Sequence, residues 1–441
     1  MSVVFKGSTF TGARVGRKSP AFQILVKTDN AGTSNSDQFT FPATAGTYDI
    51  DWGDGSSDTG VSGSQTHTYA SAGEYVVKVT GGLTALAFNN GGDKRKLLEL
   101  QNWGDIVWSS FSAAFYACSN LQITATDLPD SGSVTNFSNA WRNCSSLTSF
   151  PLIDTSSGTN FSSAWSACSS LTSFPLIDTS SGTNFSGAWS GCSSLTSFPL
   201  IDTSSGTNFA STWYACTSLT SFPLINTSNG TNFNGTWWNC TALASFPLID
   251  TSSGTDFTRT WRNCTSLASF PLIDTSSGSN FTETWRTCHS FTSFPLINTS
   301  SGTNFNTTWY DCRNLTSFPL INTSNGTVFA NTWSLCTSLT SFPLIDTSSG
   351  TDFRYAWRDC TALTSFAEIS FASMTLGTEC FNRVTLPTET WSNLLIATEA
   401  ANNNASVSWN GGNSKYNVAG GVARQALIDD HAWVITDGGA E

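Results

Sequence analysis

The chain has 441 residues, too many for one hydrophobic core, and at about 150 residues per domain it should hold roughly three. Nineteen Lys and Arg against 31 Asp and Glu give a net charge of −12, which argues against a nucleic-acid-binding face. The 39% hydrophobic and 13% aromatic content is ample material for a core, no apolar run reaches the ~18 residues of a membrane span, and three histidines leave little for acid–base or zinc chemistry.

Residues 1–19 carry Lys6, Arg14, Arg17 and Lys18 and read as a leader that mounts the chain on another component. They lack the apolar core of an ordinary secretory signal. Residues 20–81 form a separate region. Tyr48–Trp52 and Tyr75–Val79 alternate polar and apolar positions, as strands do. Trp52-Gly-Asp-Gly55 is a tight turn, followed by His67-Thr-Tyr69, Gly73, Tyr75, Val77 and Val79. That combination resembles the PKD domain, an immunoglobulin-like β-sandwich, and the resemblance implies a spacer or docking module. His67 reads as a structural histidine near Trp52. Leu83–Phe88 and Leu97–Leu100 read as the irregular first rung of a repeat array, and Asp93-Lys-Arg-Lys96 as a solvated loop.

Ten cysteines from Cys144 to Cys360 then fall every 24 residues; Cys118 and Cys380 stand 26 before and 20 after, so both ends are expected to break register as capping units. In one unit, Phe161, Trp165 and Cys168 lie at i, i+4 and i+7, one face of a short helix that Thr159 or Asn160 can cap. Leu171-x-x-Phe174-x-Leu176 reads as a strand with all three side chains inward, and Thr179 takes the place usually held by Asn in leucine-rich repeats. Asp178-Thr-Ser-Ser-Gly182 returns the chain, with Gly182 free to adopt a left-handed conformation. Pro175 should end or kink the strand, leaving about three paired residues. The predicted fold is an α/β repeat solenoid over 82–368, built from 24-residue leucine-rich-type units of parallel short strands and short helices.

The W-x-x-C-x-S-L-T-S-F-x-x-I-x-T pattern resembles the BspA-like leucine-rich repeat family of surface proteins, with Trp where Phe is commoner. The resemblance implies attachment at an extracellular surface and no catalysis. Beyond Phe366 the repeat is expected to fail, with Gly377 where Trp should precede Cys380. Residues 369–441 read as a small α/β cap: a helix over Glu389–Ala401 with Thr388 as N-cap, a strand over Ser406–Trp409, a helix over Gly420–His431 and a last strand from Trp433. With its Arg424-x-x-Leu427-Ile428 and its Trp433-x-Ile-Thr-Asp-Gly-Gly439 ending, this segment resembles C-terminal segments of phage and phage-like repeat proteins, and its physical task would be to cover the last open rung.

The cysteines follow Trp on the buried face and read as free thiols. The Asp154, Asp178, Asp202, Asp250, Asp274 and Asp346 column could bind calcium, but Asn interrupts it freely, which favours Asx-turns. Identical acids in a ladder define no catalytic site, and no cofactor is expected. Leu-Thr-Ser-Phe-Pro-Leu-Ile barely changes between units, whereas positions around Trp vary, and Arg259, Arg262, Arg286, Tyr310 and Arg313 concentrate there. Arg and Tyr are favoured at recognition hot spots, so these five form the candidate recognition surface; drift on a solvated face is the alternative. The constant face could instead pack on a partner. The expected function is that of a non-enzymatic structural and adhesive protein on a bacteriophage virion surface, as fibre, tail appendage or capsid decoration. It would contact other virion proteins through residues 1–81, and a host glycan or protein, with homo-oligomerisation open. A bacterial cell-surface adhesin is the alternative, and a polysaccharide lyase is disfavoured. Neither nucleic acid nor membrane insertion is expected.

Overall fold

The computed structural model describes residues 20–402 and 404–441; the expected mounting segment 1–19 lies outside the described residues. Among the described residues ten strands come first: β1 (Phe22–Lys27), β2 (Gln38–Phe41), β3 (Ala43–Ala45), β4 (Thr47–Asp51), β5 (Ser57–Ser62), β6 (Gln65–Thr68), β7 (Glu74–Gly81), β8 (Ala85–Leu86), β9 (Leu97–Asn102) and β10 (Gln122–Ile123). One sheet runs β10-β9-β1-β7-β4-β5, and the pairs β2–β6 and β3–β8 lie apart from it. Inward residues of β1, β4 and β7 (Phe22, Ile24, Val26, Tyr48, Ile50, Val77 and Val79) are buried, as are Phe39 and Phe41 of β2. Phe41 contacts the rings of Phe22 and Tyr48, which joins the two layers. Strand β9, expected in an irregular first rung, pairs antiparallel with β1 and parallel with β10. The sheet therefore continues past residue 81 into the repeats, and one buried cluster runs from Phe22 to Ile435.

Between residues 137 and 381 the chain is mostly turns with a 24-residue period, an arrangement that fits a repeat solenoid. Rungs meet in parallel at single positions such as Asn160–Asn184 and Asn184–Asn208. Only β11 (Ser341–Phe342) and β12 (Ser365–Phe366) form a paired parallel ladder there. The expected helix around Trp165 is absent. Amides of Phe161, Ser163, Trp165 and Ala167 donate to carbonyls of Asn184, Ser186, Ala188 and Ser190 in the next rung. The intervening Ala164, Ser166 and Cys168 close tight turns onto Phe161, Ser163 and Trp165. Ser163 and Ala167 take left-handed φ values of 55° and 58°. An α-helix would keep these amides within the rung and leave the neighbouring carbonyls unmet, so stacking selects the turn ribbon.

Rings fill the interior. Phe115, ten tryptophans from Trp141 to Trp357, and Phe381 form one stacked column. The Trp165–Trp189 centroids lie 5.4 Å apart with 7° between planes. Phe174 stands edge-to-face between Trp165 and Trp189, at 4.9 and 5.3 Å, and Phe161 stacks on Phe185 at 5.5 Å. The column runs beyond the expected end of the repeat. Phe381 takes the tryptophan place and Val384 the cysteine place, while Cys380 falls in the column of Ala356, so register holds for one more rung.

The strand expected over Leu171–Leu176 gives way to a bend. Ile177 donates its amide to the Pro175 carbonyl two residues back, which turns Leu176 outward to 62% exposure and Ile177 inward to 2%. Gly182 is needed for space, not for a left-handed turn: a Cβ there would lie 2.5 Å from Phe185 and 3.0 Å from Phe161. Buried Thr179 donates its hydroxyl to the Asp202 carbonyl of the next rung, and the same link recurs at each rung. The Cys192 thiol reaches back to the Trp165 carbonyl at 3.2 Å.

The far end holds α1 (Thr388–Ala401), β13 (Ser408–Asn410), α2 (Val418–His431) and β14 (Val434–Thr436), with β13 and β14 parallel. The N-cap of α1 is Pro387 and Thr388 lies inside the helix, whereas Asn417 caps α2 by accepting the Gly420 amide. Gly377 bridges Trp409, and Phe381 donates its amide to Asn410, so β13 covers the last rung. No helix among the described residues is long and apolar enough to cross a membrane.

Replacing Trp237 with Ala removes a ring stacked on Trp213 and Trp261 and should cost about 3–5 kcal/mol. Hydrogen exchange is expected to accelerate in the rungs on either side while β1, β4 and β7 keep their protection; equal loss in both regions would refute this. The thiols give a second test. All twelve are free and buried, and burial pushes those of Cys192, Cys288 and Cys336 up to about 12. A thiol reagent at pH 8 should label none in the folded protein and all twelve in denaturant.

Candidate recognition surface

Five successive rungs place Tyr214, Trp238, Arg262, Arg286 and Tyr310 in one column of the turn ribbon, with Ser190 before them and Ser334 after. All five are half-buried. Tyr214 packs edge-on against Trp238 at 4.8 Å. The Arg262 guanidinium lies 4.9 Å over Trp238, Arg259 lies 5.5 Å over the same ring, and Arg286 lies 4.8 Å over Tyr310. The column is therefore a continuous ridge of planar groups, in which each cation rests on a ring face.

The sequence pointed to these arginines but not to the group that gathers them. Arg259, Arg262 and Arg286 all converge on Glu283: Arg259 Nε donates to Oε2 at 2.8 Å, Arg262 Nη1 donates to the same oxygen, and Arg286 Nη1 donates to Oε1 at 3.2 Å. Glu283 sits at a left-handed position with φ 57°, which aims its side chain along the ribbon between rungs. Burial raises its pKa, but the Arg259 hydrogen bond and the charges of Arg262, Arg259 and Arg286 outweigh this and hold the carboxyl below its ordinary value. Arg313 is separate. It clasps Asp311 through Nε at 2.5 Å and Nη2 at 3.1 Å, and His289 reaches the same carboxylate at 3.0 Å. The five expected residues thus divide into a Glu283-centred group with Tyr310, and a neighbouring Asp311-centred pair. Four guanidinium groups against these two carboxylates leave a local excess of positive charge on an acidic chain.

The remaining sequence candidates are structural. Asp178 Oδ1 accepts the Ser180 amide at 3.0 Å, and Asn226 Oδ1 accepts that of Ser228 at the same distance, so the acidic column makes the Asx-turns that Asn makes equally well. No group of three or more His, Cys, Asp or Glu side chains among the described residues is placed to hold a metal ion. His67 stacks on Trp52 at 4.9 Å and pairs with Asp54 Oδ2 at 2.8 Å, which locks the Trp52–Gly55 turn. The Ser56 hydroxyl, then His67, hold Asp54 down to about 2.

The expectation of a solvated loop at Asp93–Lys96 fails for its two ends. Lys96 is fully buried and its amine donates to the Asn35 and Gln38 carbonyls at 2.7 and 2.8 Å and to the Ser34 hydroxyl at 2.7 Å. Asp93 accepts the amides of Thr33, Ser34 and Thr40. Burial pulls the Lys96 amine below its ordinary pKa, despite Asp93 3.9 Å away. This clasp ties the β1–β2 loop to the entry of β9.

No protein-family model matches the chain, and no curated protein matches it.

Glu283→Gln should keep the left-handed backbone and lose the charge. A depressed folded-state pKa contributes stability that is present above the unfolded value of about 4.3 and lost as pH falls through the folded one. The variant should be less stable than the parent by about 1 kcal/mol at pH 7, since the arginines are partly solvated. The gap should close in acid; a gap unchanged between pH 7 and pH 3 in denaturant titrations contradicts the assignment.

Proposed function

We propose that the chain is a non-enzymatic structural and adhesive protein of a bacteriophage virion surface, which touches the host through the Glu283-centred ridge. One observation carries this reading: a ladder whose core positions are near-identical varies in one ribbon column, and there five adjacent rungs carry Tyr, Trp and Arg in succession. Those residue types dominate recognition hot spots, and here the rungs beneath hold them in fixed positions. Planar guanidinium groups match carboxylates bidentately, and ring faces suit the apolar faces of sugars. The ligand class that fits is an acidic surface glycan, whose carboxylates would compete with Glu283 for Arg262 and Arg286 while its sugar faces lie along Trp238 and Tyr310.

The resemblance to BspA-like repeats supports surface display, and the resemblance of residues 369–441 to phage repeat proteins supports the virion over a bacterial envelope. The ridge would serve in either place, so labelling with an antibody against this chain and imaging of particles and cells separates the two. For recognition, the Arg262→Ala, Arg286→Ala double variant should fold as the parent does and attach more weakly to the host surface. The loss should be larger at low ionic strength, where exposed charges act furthest. Undiminished attachment by a correctly folded double variant would remove recognition from this ridge.

A further inference from the structure

The described residues include sixteen large exposed hydrophobic side chains, and ten of them, from Leu128 to Leu344, fall in a single column. Its nine regular members recur every 24 residues from Leu152, and seven of these nine are 59–62% exposed. Each is pushed outward by the bend at the preceding proline, as Leu176 is by Pro175. The core does not need them there, because Ile177 and its equivalents already supply the inward side chain. Contiguous apolar surface of this extent marks an interaction face.

We infer that this leucine column is the interface through which two copies of the chain associate side by side. Three features point to a second copy over any other occupant. The column repeats at the pitch of the rungs, the Trp165 and Trp189 rings being 5.4 Å apart, and another copy offers leucines at that same pitch along the whole length. Nine leucines exposing on the order of 100 Å² each reach about the 800 Å² per partner that a stable interface buries. The column also stops at the cap: the next position is Glu368, held by Asn393, and a charge there ends the apolar seam where the repeats end. A self-complementary patch of this kind closes by two-fold symmetry and leaves no seam open. The inference is independent of the ridge at Glu283, which lies in a different column.

The test uses the full chain. In sedimentation velocity the parent should be dimeric at micromolar concentration, and Leu224→Ser, Leu248→Ser, Leu272→Ser together should weaken dimerisation at least ten-fold with an unchanged melting curve. Leu248 is the middle leucine of the nine and faces its own counterpart when the seams overlap fully, in either orientation. Leu248→Cys in the otherwise unaltered chain should therefore form an interchain disulfide on mild oxidation, against a background of native thiols that are all buried. A monomeric parent, a triple serine variant that dimerises as the parent does, or a Leu248→Cys chain that stays uncrosslinked overturns the inference. So does a dimer that dissociates in high salt, since that places association on the charged groups instead.

Discussion

Every rung depends on giving half its turn amides to the next rung. Phe161, Ser163, Trp165 and Ala167 reach forward, while Ala164, Ser166 and Cys168 fold back. This alternation requires two left-handed residues per rung, four positions apart, which costs about 1–2 kcal/mol for each non-glycine side chain. Ser163, Arg259, Glu283 and Tyr355 all accept that conformation, and Gly187 and Gly235 occupy it without strain. The forward hydrogen bonds offset the cost only if the next rung is in register. The ring column enforces register, because a rung displaced along the chain would lose its tryptophan stack, its Thr179 hydroxyl link and its Cys192 thiol contact together.

The same stacking explains a polar residue in an apolar core. The indole nitrogens from Trp141 to Trp357 are buried without a hydrogen-bond acceptor. Each such orphan costs on the order of 1–3 kcal/mol. Phe would avoid this, and Phe does occupy the two end places, Phe115 and Phe381. Inside the ladder the larger indole meets a stacked neighbour on both faces and a Phe edge-to-face, and that contact area outweighs the orphaned N–H.

The sequence makes the 24-residue period, the columns at Phe161, Trp165, Cys168, Leu171 and Phe174, and both terminal helices legible. Its misreadings have local causes. Spacing of i, i+4 and i+7 is common to a helix and to a ribbon that resets with a left-handed residue every four positions. Only the destination of the amides distinguishes them, and that lies 23 residues away. Leu176 and Ile177 are adjacent and equally apolar, so the choice between them turns on the Pro175 bend. Taking cysteine as the ruler set Cys380 out of register, whereas the rings carry register on to Phe381. Asp93 and Lys96 show no local sign of burial, since their partners sit at residues 33–40.

The proposed recognition ridge would give a repeat a single address. A ladder of identical rungs presents the same surface everywhere, so a ligand bound to it has no preferred place. Specificity needs a break in the repeat, but a break in the core would collapse the stack. The half-buried ribbon column resolves this, because a substitution there changes the surface and leaves the amide exchange and the rings untouched. Arginine alone would be too mobile to specify anything; Glu283 and the faces of Trp238 and Tyr310 fix the guanidinium groups before a ligand arrives. That arrangement lowers the ordering cost of binding, but an incoming anion must compete with Glu283. If the proposed ridge binds a ligand, this competition would favour one that presents more than one carboxylate along the ladder, which a polymeric acidic glycan does and a single free anion does not.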